Sequence, residues 1–467
     1  MHGTILSYSD ARVIFGGPMP QVTVGIDIGT TSVKAVAVDD EGHVVARSRV
    51  PHSIVVPSPG RMEHDARRAW QTGPVKALSG LGEIDAKGVA VAAMVPSITA
   101  VDRRGRPMTP GLLYGDERGR TGAEHVPSTE GSGPEGVGEI VGFLRWTAEQ
   151  APTAVGYWPA QAVANKALGG PPAIDLGVAF TSMPLFGNDG WDKAICHDCG
   201  LSPDQLATVE FPGSQVGNLF GDGPPLAAGT VDVWCEQLVS GATAPGDVHV
   251  VCGTTLIVWA MVADPVSAAG LWSVGGAKGL HMVGGASNAG GLFLDWANRM
   301  TAKVSSSERL DPANLPVWVP YPRGERTPYH DASMRASLHG LDLTHGASAV
   351  QRAAWEASGF VVRHHLELAG VDVKRLVVTG GGTKVDGWMR ALADVTGLPV
   401  HVAADPEGAA RGAAFIARVA AGLESDVNDA ERWARTGRII EPDELWRRGA
   451  DGRYATFLAR SDPASGD

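Results

Sequence analysis

Between Val22 and Val38 the chain alternates. Val22, Val24, Ile26 and Ile28 are apolar, with Thr23, Gly25, Asp27 and Gly29 set between them, the period of a β-strand. Gly29-Thr30-Thr31 interrupts the pattern, and Val33-Lys34-Ala35-Val36-Ala37-Val38 returns as a second strand. Beyond a turn at Gly42, Val44–Arg49 predicts a third, antiparallel strand. The same phrase recurs in the second half, where Asp247–Val258 reads DVHVVCGTTLIV: an apolar run, Gly253-Thr254-Thr255, then another apolar run. Two strand–turn–strand units in the two halves of one chain predict a duplicated fold with matched turns.

The remaining patterns fill in helices and strands around these hairpins. Val89–Ala93 is an apolar strand, and Ile98–Val101 continues extended to a turn at Asp102–Gly105. In Pro57–Trp70, Glu63 and His64 lead to Asp65, a natural N-cap for a helix from Ala66, which Gly73-Pro74 is expected to end or kink. Helices are predicted at Ile140–Gln150, at Asp232–Val239 behind Gly229, at Leu292–Met300 and at Ser348–Leu368. Arg375–Thr379 predicts a strand that runs into Gly380-Gly381-Gly382 and a helix carrying Trp388, Leu392 and Val395. Asp405-Pro406-Glu407 opens a last helix, with Gly408 and Gly412 one turn apart for close packing and Gly422 ending it. Ser128–Gly138 reads as a loop, and 425–467 as a short helix around Ala430–Arg435 in an otherwise weakly structured tail.

Composition narrows the function classes. At 467 residues the chain exceeds one core, so two domains of roughly 200 residues each are expected. A net charge of −12 without any lysine or arginine block argues against nucleic acid as a partner. No apolar stretch reaches the ~18 residues of a membrane helix, and Val89–Val101 is broken by Pro96. Residues 1–20 have neither a basic start nor an apolar segment, and a second methionine, Met19, precedes the first strand. A cytoplasmic protein is expected, with Cys196 and Cys199 as reduced thiols, because one C-x-x-C without further ligands does not make a zinc site.

The hairpins carry the parts a polyphosphate and its metal need: backbone donors, hydroxyls, a carboxylate and a cation. Asp27 is the candidate Mg²⁺ ligand, Lys34 the candidate cation, and Thr30, Thr31, Gly253, Thr254 and Thr255 the candidate phosphate contacts. Asp232, at a helix start just ahead of the second hairpin, is placed to receive a proton from an attacking hydroxyl. At the end of a strand, Asp116 and Arg118 could grip the hydroxyls of a polyol. Gly380, Gly381 and Gly382 leave bare backbone against which a base or ribose can lie.

Several of these motifs, taken in order from about Thr23 to about Gly422, resemble the carbohydrate kinases of the FGGY family, and in pattern the xylulose kinases. Val317–Pro328, VWVPYPRGERTP, is similar to the family's Leu-Pro-Tyr-x-x-Gly-Glu-Arg-x-Pro; Gly284–Gly291 resembles its Gly-Gly-x-x-Asn-x-x-Gly; and Tyr114-Gly115-Asp116-Glu117-Arg118 its Trp-x-Asp-x-Arg. The resemblance implies an α/β fold of two ribonuclease-H-like, actin-like ATPase domains with a cleft between them, over 22–243 and 244–424, with extensions at 1–21 and 425–467. It implies ATP and Mg²⁺ as cofactors, with closure excluding water. It implies Asp232 as general base, Gly291 near the nucleotide, and Gly380–Gly382 at the adenosine. The expected reaction is phosphorylation of a small sugar or polyol, a xylulose-like ketose first, with a homodimer as an admissible assembly and neither nucleic acid nor membrane as partner.

Three departures bear on that reading. Tyr114 replaces a tryptophan. Val95 and Pro96 stand where xylulose kinases place a Met-His that contacts the sugar, so this pocket is expected to hold its substrate differently. Thr230 and Val231 stand where the family prefers glycine, and valine tolerates a positive φ poorly. The alternative is a catalytically degenerate member that binds a sugar or nucleotide. An actin-type or heat-shock-type ATPase shares the hairpins but not the stretch Gly324–Pro328.

Overall fold

Both hairpins form in the computed structural model, which describes residues 21–58, 60–119, 139–301 and 309–461. Gln21–Ile28 pairs antiparallel with Ser32–Val38, setting Asp27 opposite Lys34, and Ser32–Val38 pairs with Val44–Pro51. On its other side Gln21–Ile28 runs parallel to Asp85–Ala93. The first strand is therefore central to its sheet, and even its polar positions Thr23 and Asp27 are buried. Asp247–Cys252 repeats the arrangement, antiparallel to Leu256–Val262 and parallel to Arg375–Thr379. Each sheet is mixed and flanked by helices, the expected α/β duplication.

The described residues up to 239, together with Glu407–Trp433, form one compact unit; Ser240–Pro406 and the residues from Ala434 onward form the second. In the first unit the helix Gly408–Ala420 lies on the sheet and against the short helix Asp232–Leu238. The approach is at backbone range. A Cβ at Gly25 would come within 1.8 Å of the Ala410 carbonyl oxygen, and one at Gly412 within 1.9 Å of that of Cys235. Glycine at these positions lets the helix press Asp232–Leu238 toward the end of the sheet.

Several local expectations change. Gly73-Pro74 does not end the helix behind Asp65: a π-helical turn, Arg67–Thr72, passes directly into the α-helix Gly73–Ser79. Pro74 stands where the π-helical turn gives way to the α-helix. The C-terminal region is not a weakly structured tail. Val427–Trp433 is a 3₁₀ helix, Thr436–Ile440 adds an edge strand to the second sheet, and Glu444–Ser461 is an α-helix. Its inward face holds Ala450, Arg453, Tyr454, Phe457 and Ser461, so an arginine and a serine interrupt the apolar period. The extension at 1–20 and the loop at Ser128–Gly138 lie outside the described residues.

Candidate active site

In the first unit, Asp27 lies one residue from the hairpin's tip, its carboxylate 3.1 Å from the Lys34 ammonium. Asp27 is buried and Lys34 partly exposed, and Asp27's charge holds the Lys34 pKa above its usual value. Thr230–Val231 is a two-residue strand beside Asp85–Ala93, with Val231 opposite Ala93, and Asp232 follows as the first residue of its helix. Val231 has φ −84° and ψ 132°, ordinary extended backbone, so no glycine is needed to turn the chain here. One Asp232 oxygen accepts from the Val233 N–H at 2.7 Å. Burial first, and then the charge of Asp27, push the Asp232 pKa up to about 7. Two carboxylates and an ammonium thus share one end of the first sheet.

The Gly29-Thr30-Thr31 turn is fixed from behind. His64, fully buried, donates through Nε2 to the Thr30 carbonyl at 2.8 Å and accepts at Nδ1 from the Trp70 indole N–H at 3.0 Å. Burial lowers the His64 pKa to about 4, so the ring is neutral and this one tautomer satisfies both bonds. Tyr114 places its hydroxyl 3.0 Å from that of Thr30. Thr31 is exposed. Asp116 and Arg118 are brought together with Glu63. The guanidinium is bidentate on Asp116 at 2.8 and 2.6 Å, reaches Glu63 at 2.7 Å and lies 4.4 Å over the Trp146 ring. Asp116 also accepts from the Met62 N–H. Both residues are buried, and their bonds tie the segment before the first helix to the end of Gly111–Leu113.

In the second unit, Gly253, Thr254 and Thr255 form the hairpin tip, and Gly291 is brought against it. The Gly291 and Leu292 N–H groups donate to the carbonyls of Gly253 and Thr254, so the helix Gly291–Met300 starts on the turn itself. This turn lacks the charged pair of the first, since Val251, in the place of Asp27, faces Ile257. Glu325 forms the hub of the neighbouring loop. It is buried and accepts from the Ser287 hydroxyl and from the Asn288 and Arg326 N–H groups. Burial pushes its pKa up to about 7. Nothing in the pattern of Val317–Pro328 marks this carboxylate as the centre of its loop.

The three glycines after Arg375–Thr379 divide by role. A Cβ at Gly380, whose φ is +89°, or at Gly382 would meet the Cys252 carbonyl at 2.8 Å, and at Gly382 also the Trp388 ring at 2.3 Å. Packing requires both. At Gly381 an added Cβ would meet nothing within 4 Å, so bare backbone faces open space there. Val95 and Pro96 border a cavity in the first unit. His64 and Trp70 are the supporting residues that sequence reasoning missed; their one signal was a histidine and a tryptophan in a segment otherwise read as a helix start.

Residues 22–151 match the N-terminal domain, and residues 248–421 the C-terminal domain, of the FGGY family of carbohydrate kinases. The chain is similar to the xylulose kinase of Escherichia coli (strain K12), 25% identical over 86% of this chain and 91% of that one. With the xylulose kinase of Bacillus subtilis (strain 168) it is 26% identical over 90% and 92%. Among solved structures, a xylulose kinase from Rhodospirillum rubrum superposes with a TM-score of 0.76 at 25% identity, covering 94% of this chain and 98% of that one.

Proposed function

The chain belongs to the FGGY family of carbohydrate kinases, and from that premise we propose that it moves the γ-phosphoryl group of ATP to a hydroxyl of a small ketose or polyol, with Asp232 as general base. The observation that carries the reading is the Asp232 carboxylate, half-buried beside Asp27 and Lys34 with a pKa of about 7. A base poised near neutrality can take a proton at working pH and release it afterwards. The acceptor oxygen forms a bond to the γ-phosphorus as the bond to the β–γ bridging oxygen breaks. The acceptor's proton passes to Asp232, and ADP and a sugar phosphate leave. Lys34 offers a positive charge toward phosphate oxygens. Asp27, an oxygen ligand of the type a hard cation takes, would hold Mg²⁺, which supplies charge neutralisation on the phosphates. Similarity to xylulose kinases makes a xylulose-like ketose the first substrate to try.

The test is ADP release from ATP across a panel of ketoses and polyols. Release that depends on one sugar supports the kinase; release without sugar, or ATP binding without any release, defeats it. Thr254→Val is expected to weaken ATP binding about tenfold, the worth of one hydrogen bond to a charged group, and calorimetry showing parental affinity removes Thr254 from the site. Asp27→Ala is expected to raise the Mg²⁺ concentration needed for half-maximal rate, and an unchanged Mg²⁺ titration refutes the metal role.

A further inference from the structure

The cavity bordered by Val95 and Pro96 has the wrong lining for a molecule that is hydroxylated throughout. Its open space, counting solvent at the mouth, is about 400 Å³, and its walls include Val95, Pro96, Ile174, Val178, Leu185 and Trp191. Among the described residues, no charged or amide side chain lines it. Three of its polar side chains have already spent their donors, and the Ser182 hydroxyl is a further polar group in the wall. The Trp191 N–H donates to the Ala207 carbonyl, the Tyr157 hydroxyl to that of Ala151 and the Thr181 hydroxyl to that of Val178. The Ser97 oxygen accepts from the Ala160 N–H.

The strand leading to Val95 and Pro96 and the strand leading to the candidate base end side by side. Val231 pairs with Ala93 where both strands end, one chain continuing into Asp232 and the other through Met94 into Val95 and Pro96. Ile174 bridges Gly229, just upstream on the same segment, and the Gly177 and Val231 positions lie in contact range. Three walls of the cavity therefore converge on the strand end that presents Asp232.

We infer that the acceptor is amphipathic: a ketose or polyol with its reacting hydroxyl at Asp232 and a terminal methyl or short alkyl group in this cavity. The inference rests on Asp232 marking the acceptor side, as proposed above. A hydroxymethyl end driven into these walls gives up its water for few partners, whereas a methyl end gains by leaving water. For one such group in an apolar pocket, discrimination of about tenfold or more is expected.

Matched pairs of ketoses that differ only in carrying CH₃ or CH₂OH at the far terminus test this by calorimetric titration into the full chain, with a non-hydrolysable ATP analogue present. The methyl member is expected to bind about tenfold more tightly. Equal affinity, tighter binding of the hydroxymethyl member, or binding of neither overturns the inference. Val95→Thr and, separately, Val178→Thr are expected to shrink the preference. If either fails to fold, the parent titrations decide alone. ADP release with the same pairs reports on the kinase reading by itself: selective binding of the methyl member without any release keeps the cavity assignment and removes the chemistry.

Discussion

Asp232→Asn is expected to lower turnover by about 10²–10⁴-fold, roughly 3–5 kcal/mol at the transition state, with ATP affinity almost unchanged. Asparagine keeps the shape and an oxygen to accept the Val233 N–H, but it cannot take the acceptor's proton. A helix-start carboxylate with only a local structural role would lose little, because asparagine and aspartate serve helix starts equally well. The pH profile separates the readings further. The base must be ionised, so kcat/KM in the parent is expected to fall as pH drops below about 7. Stability runs the other way. A carboxyl that titrates near 4 in the unfolded chain and at about 7 when folded makes the native state bind the extra proton. Stability therefore declines as pH rises across that window, and the full cost remains above it. At pH 8 the asparagine variant should melt no lower than the parent. Turnover within about threefold of the parent, a change of under 1 kcal/mol, leaves Asp232 a structural residue and moves the search for the base to Asp27, since Asp116 is buried on Arg118.

The hairpins were legible because alternation and a turn signal coincide twice, at Gly29–Thr31 and at Gly253–Thr255, and strand pairing follows from local pattern. What lay behind them was not. His64 reaches Thr30 across 34 positions of sequence, and no periodicity marks a histidine whose partners are a carbonyl and an indole. Asp116 and Arg118 read as grips for a polyol because sequence shows residue types and spacing. It does not show that Glu63, Met62 and Trp146 already surround them. Val231 looked strained because a left-handed turn was assumed, while the chain leaves a paired strand with extended backbone instead. The C-terminal helix escaped notice for a related reason. A buried arginine satisfied by a distant glutamate cannot be told, in one dimension, from a solvated one.

That glutamate is the second large expected effect. Glu356 is fully buried on the helix Ala347–Ala369 and accepts from Arg352 at 3.0 Å and from Arg453 at 2.8 and 3.0 Å. Arg352 continues to Asp394 at 2.7 Å and lies 4.2 Å from the Trp446 ring, so three helices of the second unit meet in one buried ionic network. Glu356→Ala strands the Arg453 guanidinium with, among the described residues, only the Pro312 carbonyl as partner and should cost about 3–5 kcal/mol. The unfolding midpoint in urea reports it, and a loss below about 1 kcal/mol would mean that water reaches the network. Replacing Glu356 and Arg453 together by apolar residues of similar volume, which leaves Arg352 paired with Asp394, should recover much of the loss, since the penalty comes from the unpaired charge rather than from absent attraction. The consequence reaches the candidate nucleotide face. The same helix sends Ser358 to the Ala289 carbonyl and His365 to Thr327, bracing the turn before Gly291 and the loop around Glu325. Activity in Glu356→Ala should therefore fall together with hydrogen-exchange protection in Glu444–Ser461, whereas Asp232→Asn loses activity with protection intact.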